Sequence, residues 1–175
     1  MGKIDAFSLK EWIEEHRHLL KPPVGNQVVW EDSDFIVMIV GGPNNRKDFH
    51  VNPTEEFFYQ LEGDVVLRIR EDGEFRDVTI REGDVMLLPP MIPHSPRRGA
   101  NTVGMVVERK RPEGQNDHFV FFCDNCNEVV FDHELYLVDI VKQLRPVMEG
   151  FWADEEKRCC EKCGSMVAPP VMDGN

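Results

Sequence analysis

Between residues 35 and 107 the chain is cut into short apolar runs, each closed by turn-forming residues. The runs lie at 35–40, 57–60, 65–69, 75–80, 85–88 and 102–107, and they are rich in Val, Ile, Leu and Phe. Gly41-Gly42-Pro43, Gly63-Asp64, Asp72-Gly73, Gly83-Asp84 and Gly99 separate them. Glycine reaches the left-handed backbone that tight turns require, and runs this short are strands more readily than helices. Short strands at roughly ten-residue spacing suit an antiparallel sandwich or a closed barrel. The expectation is a mainly β chain.

The flanks read differently. Residues 8–20 have helical spacing through Leu9, Trp12, Ile13, His16, Leu19 and Leu20, with Ser8 and Glu11 as a capping box and Lys21-Pro22-Pro23 as the stop. Past Glu108, residues 110–114 read as a polar linker, and 119–122 and 131–136 as strands. Leu137, Ile140, Val141, Leu144 and Val147 suggest a helix disturbed at Pro146, and residues 169–175 read as a loose tail. The expected division is 1–110, helix plus barrel, and 111–175, an extension too small for a large core of its own.

Charge narrows the partners. Twenty Lys and Arg against 32 Asp and Glu give a net charge of −12, which repels phosphate backbones and disfavours nucleic acid. No apolar run approaches the roughly 20 residues that a membrane helix needs, so no membrane partner is expected. Residues 1–12 lack a basic start followed by an apolar stretch, so no secretory signal is read and the expected compartment is the cytoplasm.

His50, Glu56 and His94 are the first candidate metal ligands. Two imidazoles and one carboxylate on one face of a metal leave other positions open for substrate and O2, the arrangement of non-haem iron(II) oxygenases. Arg46, Asp48 and His50 share a period of two and point the same way if that stretch is extended. His16, His18, His118 and His133 are assigned to no site. Gly42, five residues, Asp48-Phe49-His50, five residues, Glu56, six residues and Gly63 resemble the first cupin motif, with Asp48 where that motif usually has its first histidine. Gly83, five residues, Pro89, four residues and His94 resemble the second, with Met91 where glycine is common.

The combination His50-x-Asn52-Pro53-x-x-Glu56-x-Phe58, with Leu88-Pro89-Pro90-Met91-Ile92-Pro93-His94-Ser95-Pro96-Arg97-Arg98, resembles the 3-hydroxyanthranilate 3,4-dioxygenase family in its bacterial form. The resemblance covers nearly the whole chain. It implies a cupin double-stranded β-helix, a jelly-roll barrel with an N-terminal helix and a C-terminal rubredoxin-like four-cysteine appendage. It implies Fe(II) on His50, Glu56 and His94, substrate contacts at Glu56, Arg98 and Glu108, and Arg46 beside the O2 site. The implied reaction opens the ring of 3-hydroxyanthranilate with O2, giving 2-amino-3-carboxymuconate semialdehyde, the precursor of quinolinate. Tryptophan breakdown, quinolinate supply for NAD and nitroaromatic degradation are all compatible pathways. A homodimer is also implied. A guanidinium fork at Arg98 suits the ring carboxylate, and Glu108 is tolerable nearby if Arg98 lies between them or if Glu108 is protonated.

Cys123-x-x-Cys126 and Cys160-x-x-Cys163, 33 residues apart, are two knuckles able to complete a closed tetrahedral site. Such a site is structural, it accepts iron or zinc, and it leaves Cys159 as the spare thiol. The rival readings are another cupin dioxygenase, whose three-histidine ligand set Asp48 disfavours, and a non-catalytic cupin that binds aromatic acids.

Overall fold

A computed structural model describes residues 5–21, 25–30, 33–44 and 46–170. The expected stop at Pro22-Pro23 and the tail beyond residue 170 lie outside the described residues. Two antiparallel sheets face each other. The first contains β1 (Asn26–Val28), β2 (Phe35–Gly41), β4 (Glu56–Glu62), β7 (Val85–Leu88) and β9 (Val103–Arg109), in the order β1-β2-β9-β4-β7. The second has β3 (Phe49–Val51), β5 (Val65–Glu71), β6 (Glu74–Ile80), β8 (His94–Arg98), β10 (Asp117–Phe122) and β11 (Val129–Leu135), in the order β11-β10-β3-β8-β5-β6. This is a mainly β cupin barrel. Alternation puts Met38, Val40, Phe58, Val65, Leu67, Ile69, Leu88 and Val106 into one core between the sheets.

The six strands expected between 35 and 107 are present, most of them longer by a residue or two. Three others, β1, β3 and β8, are not marked by an apolar run. Strand β8 contains Pro96, which lies beyond the single pairing of β8 with β3 at His94; His94, Ser95 and Arg98 are buried and Arg97 is exposed.

Helix α1 (Leu9–His16) is capped by Ser8, whose hydroxyl accepts from the Glu11 N–H at 3.3 Å. It ends earlier than expected, passing into a 3₁₀ turn at Arg17–Leu19. There Arg17 bridges Glu14 and Glu62, at 2.6 and 2.8 Å, and the tighter turn brings Leu20 into a cluster with Ile13, Ile39 and Val103. The C-terminal helix α2 (Ile140–Ala153) also departs from expectation. Asp139 caps it, Leu137 is buried ahead of it, and it runs unbroken through Pro146. A short helix, α3 (Glu155–Arg158), follows.

The segment 110–114 is not a solvated linker throughout. Arg111 is buried, and it leads into β10, which pairs with β3 inside the second sheet. Residues beyond 111 also form a small core of Phe121, Phe151 and Val167, with the Phe121 and Phe151 rings stacked 3.8 Å apart.

Candidate metal centre and substrate pocket

The second sheet supplies the histidines. His50 on β3 and His94 on β8 are direct cross-strand partners. The first sheet supplies the carboxylates, with Glu56 on β4 opposite Glu108 on β9. Inward-facing positions of the two sheets therefore meet inside the barrel, and all four side chains are buried. His94 Nε2 lies 3.2 Å from Glu56 Oε1 and His50 Nδ1 lies 3.4 Å from the same oxygen. The three residues each offer one donor atom within 4.8 Å of the others. Burial alone would raise the Glu56 carboxyl, yet the two facing histidines hold it well below the ordinary carboxylate range. Burial likewise opposes charge on His50, but hydrogen bonds to Asp117 and Glu56 outweigh it and lift its pKa to about 9.

Asp48, at the usual position of the first cupin histidine, is fully buried and paired with Arg46, whose Nε donates to Oδ1 at 3.1 Å. Its neighbour Arg98 has a different fate. Arg98 is buried, donates from Nη1 to Gln60 Oε1 at 3.1 Å, and leaves Nε without a hydrogen-bond partner among the described residues. Burial, then the charge of Arg46, lowers its pKa to about 10. Arg97, next along β8, faces outward. A buried cation facing no carboxylate is costly unless a ligand brings the anion.

Glu108 is not oriented by Arg98. Its partners are Asn52, which donates at 2.6 Å, and Arg111, at 3.0 Å. Burial, then the charge of Glu56, pushes its pKa up to about 7. Asn52, Gln60, Arg111 and Asp117 were not singled out in the sequence. Asn52 stands inside the first motif without an assigned role, Arg111 lies in the segment 110–114 that reads as a polar linker, and Asp117 falls between that segment and the strand expected from residue 119. Gly104 had no signal either. A Cβ there would lie 2.7 Å from Gln60 Oε1 and 2.8 Å from Arg98 Nη1, so glycine leaves room for the guanidinium.

The donor set tests whether a metal fits: two buried imidazoles and one buried carboxylate offer ligand atoms within 4.8 Å of one another, and a cation bound there takes the place of the His50 proton. Arg46 and Asp48 cancel, and Arg98 is left for one carboxylate. Nitrogen and oxygen donors suit iron, and three protein ligands leave coordination positions open.

Near the C-terminus the sulfurs of Cys123, Cys126, Cys160 and Cys163 also cluster within 4.8 Å. The two knuckles have the same backbone pattern. Cys123 N–H donates to Glu128 O at 2.8 Å and Asn127 N–H to Cys123 O at 3.0 Å; Cys160 and Gly164 repeat these bonds at 2.9 and 2.8 Å. Asn127 and Gly164 both take positive φ, 61° and 71°, which closes each turn around the sulfurs. Cys159 stands outside the cluster, with Sγ 3.9 Å from Gly164 O.

Fold and site together define a cupin whose barrel holds a two-histidine, one-carboxylate centre, with a separate four-thiol cluster near the C-terminus. The family model for 3-hydroxyanthranilic acid dioxygenase matches residues 1–152, and this chain belongs to that family. Among curated relatives, a 3-hydroxyanthranilate 3,4-dioxygenase of Ruegeria pomeroyi is 54% identical over 95% of this chain and 93% of its own length. One from Bacillus cereus is 48% identical over 97% of this chain and 96% of its own. A solved cupin-2 domain protein from Shewanella frigidimarina has a TM-score of 0.46 at 18% identity, over 55% of this chain and 91% of that one.

Proposed function

We propose that this chain is an extradiol-type dioxygenase that opens the ring of 3-hydroxyanthranilate with O2, giving 2-amino-3-carboxymuconate semialdehyde. The observation that carries this reading is a buried Arg98 with no carboxylate partner among the described residues, in the same barrel as a buried His50, Glu56 and His94 set. Iron(II), when bound by those three residues, supplies the redox chemistry and the template on which substrate and O2 react. Arg98 binds the ring carboxylate through its donor fork and orients the ring. Glu56 touches both metal and substrate, and Arg46, fixed by Asp48, stands beside the O2 position. Glu108, with its pKa near 7, accepts the proton of the phenolic hydroxyl.

The four-cysteine cluster holds a second metal, iron or zinc, in a structural role. Residues 1–110 are the barrel with its helix, and 111–175 are an extension that lends β10 to the sheet. A homodimer is supported by the outer face of the first sheet. Val37, Val107, Phe57 and Leu87 line up there across four strands, and Phe35, Val85 and Leu87 are more than half exposed. None of the five cysteines is in a disulfide, which fits a reducing compartment, and we place the enzyme in the cytoplasm. Among the described residues no helix is long and apolar enough to cross a membrane.

The test loads the protein with iron(II) anaerobically, adds 3-hydroxyanthranilate and then admits O2. Loss of the ring absorbance with matching O2 uptake is the expected result. Tight binding without either change would leave only a binding protein.

A further inference from the structure

His50 is held from behind by residues outside both cupin motifs. Its Nε2 lies 2.8 Å from Asp117 Oδ2, and Asp117 is fully buried. Asp117 begins β10, two residues before Phe119, which pairs with His50 across the ladder and stacks on its ring at 5.0 Å with an 11° tilt. The stack sets the plane of the imidazole and the carboxylate sets its rotation. An ionised carboxylate only accepts hydrogen bonds, so the proton of a neutral His50 sits on Nε2 and the lone pair on Nδ1 faces Glu56.

His94 is held in the opposite sense. Its Nδ1 lies 3.0 Å from the Ile92 carbonyl, so Nε2 faces Glu56. The two ligands thus present different nitrogens, one backed by a neutral carbonyl and one by a charge.

Asp117 is itself secured. Arg111 donates to it through Nε, at 2.9 Å to Oδ2, and through Nη2. The same guanidinium reaches Glu108 at 3.0 Å and the Arg109 carbonyl at 2.9 Å. Asn52 then donates to Glu108 at 2.6 Å and to Glu56 at 3.1 Å. A closed chain of contacts runs from His50 through Asp117, Arg111, Glu108 and Asn52 to Glu56 and back to His50. Three carboxylates converge on the site, and Arg111 is the cation that links two of them.

We infer that Asp117 and Arg111 are positioning residues of the metal centre: Asp117 selects the His50 tautomer that offers Nδ1 to the metal, and Arg111 holds Asp117 and Glu108 in place. The barrel motifs alone therefore do not make the site; the first residues of the extension complete it. This inference rests on the reading of His50, Glu56 and His94 as metal ligands. A carboxylate behind a ligating histidine fixes the ring and raises its basicity, and loss of such a partner costs about 10- to 100-fold in metal affinity.

The experiment measures iron(II) affinity by chelator competition and reads the histidine ring nitrogens by long-range proton–nitrogen correlation in zinc(II)-loaded, ¹⁵N-histidine-labelled protein. The four-cysteine cluster adds no histidine signal. In the wild type, zinc should move His50 Nδ1 and His94 Nε2, with the His50 proton on Nε2. Asp117→Ala should lower iron affinity about 10- to 100-fold. Asp117→Asn, which still accepts from Nε2–H, should keep the tautomer and lose about tenfold or less. Zinc on His50 Nε2, or an Asp117→Ala protein that melts earlier but binds iron like the wild type, overturns the inference. Should Asp117→Ala fail to fold, the nitrogen assignment in the wild type and in Asp117→Asn decides. If zinc moves neither histidine, the ligand reading itself fails, and this inference with it.

Discussion

Replacing Arg98 by methionine should weaken substrate binding and strengthen the ligand-free fold at once. The native pKa of Arg98 falls from 12.5 to about 10, chiefly through burial and then through Arg46. At about 1.4 kcal/mol per tenfold in the proton equilibrium, the charged side chain costs the folded state roughly 3 kcal/mol. The sign follows from the depressed value: the cost is present throughout neutral pH and fades only above about pH 10. Methionine fills a similar volume without the charge, so the metal-free protein should gain on the order of 1–3 kcal/mol, less what the lost Gln60 hydrogen bond contributed. Affinity for 3-hydroxyanthranilate should fall about tenfold to a hundredfold, the worth of one charge-assisted hydrogen bond and more if the pair is bidentate. Denaturant melts of the metal-free proteins and anaerobic titrations of the iron-loaded ones measure the two halves. Discrimination against 2-aminophenol, which lacks the carboxylate, should shrink in the same variant. Arg97→Met is the control, because Arg97 faces outward from β8. An Arg98→Met protein that binds substrate within twofold of wild type, or an Arg97→Met protein that is the damaged one, would refute the reasoning.

Gly104→Ala should act on the same pocket, because the added methyl meets Gln60 Oε1 and Arg98 Nη1 below 3 Å; KM should rise several-fold with iron content unchanged, as steady-state assays and metal analysis can show. Iron affinity should rise about tenfold per pH unit up to about pH 9, since below that value the metal displaces a proton from His50; chelator competition between pH 6 and 8 tests this, and a flat profile contradicts it. Glu108→Gln should lower kcat more than it raises KM, and should remove a titration near pH 7 from the rate profile, since Arg111 keeps Asp117 as its partner. Ser in place of Cys123, Cys126, Cys160 or Cys163 should release the second metal and lower the melting temperature, with turnover per catalytic iron nearly unchanged; loss of turnover at full catalytic iron would show that the cluster does more than hold the extension.

Local chemistry alone determined much of this protein. Turn residues and apolar alternation are local signals, and they set six of the strands between Phe35 and Arg109. Ligand spacing is local as well, so His50, Glu56 and His94 stood out as candidates, as did the two cysteine pairs, with Cys160 preferred over Cys159. What tertiary structure decided is everything that depends on which strands lie side by side. Strands β3 and β8 have weak apolar signatures because they present ligands to the barrel interior in place of apolar side chains, and they become strands only by pairing with each other and with β5 and β10. Arg111 reads as part of a polar linker and Asp117 carries no signal until β10 docks on β3, burying Asp117 against His50 and Arg111 against Asp117. Glu108 stood out as a candidate, yet the cation beside it is Arg111 and not Arg98, because cross-strand register and the path of the chain after β9 choose the neighbour. Charges are assigned roles by the neighbours that desolvate and pair them, and that information exists only once the sheets have closed.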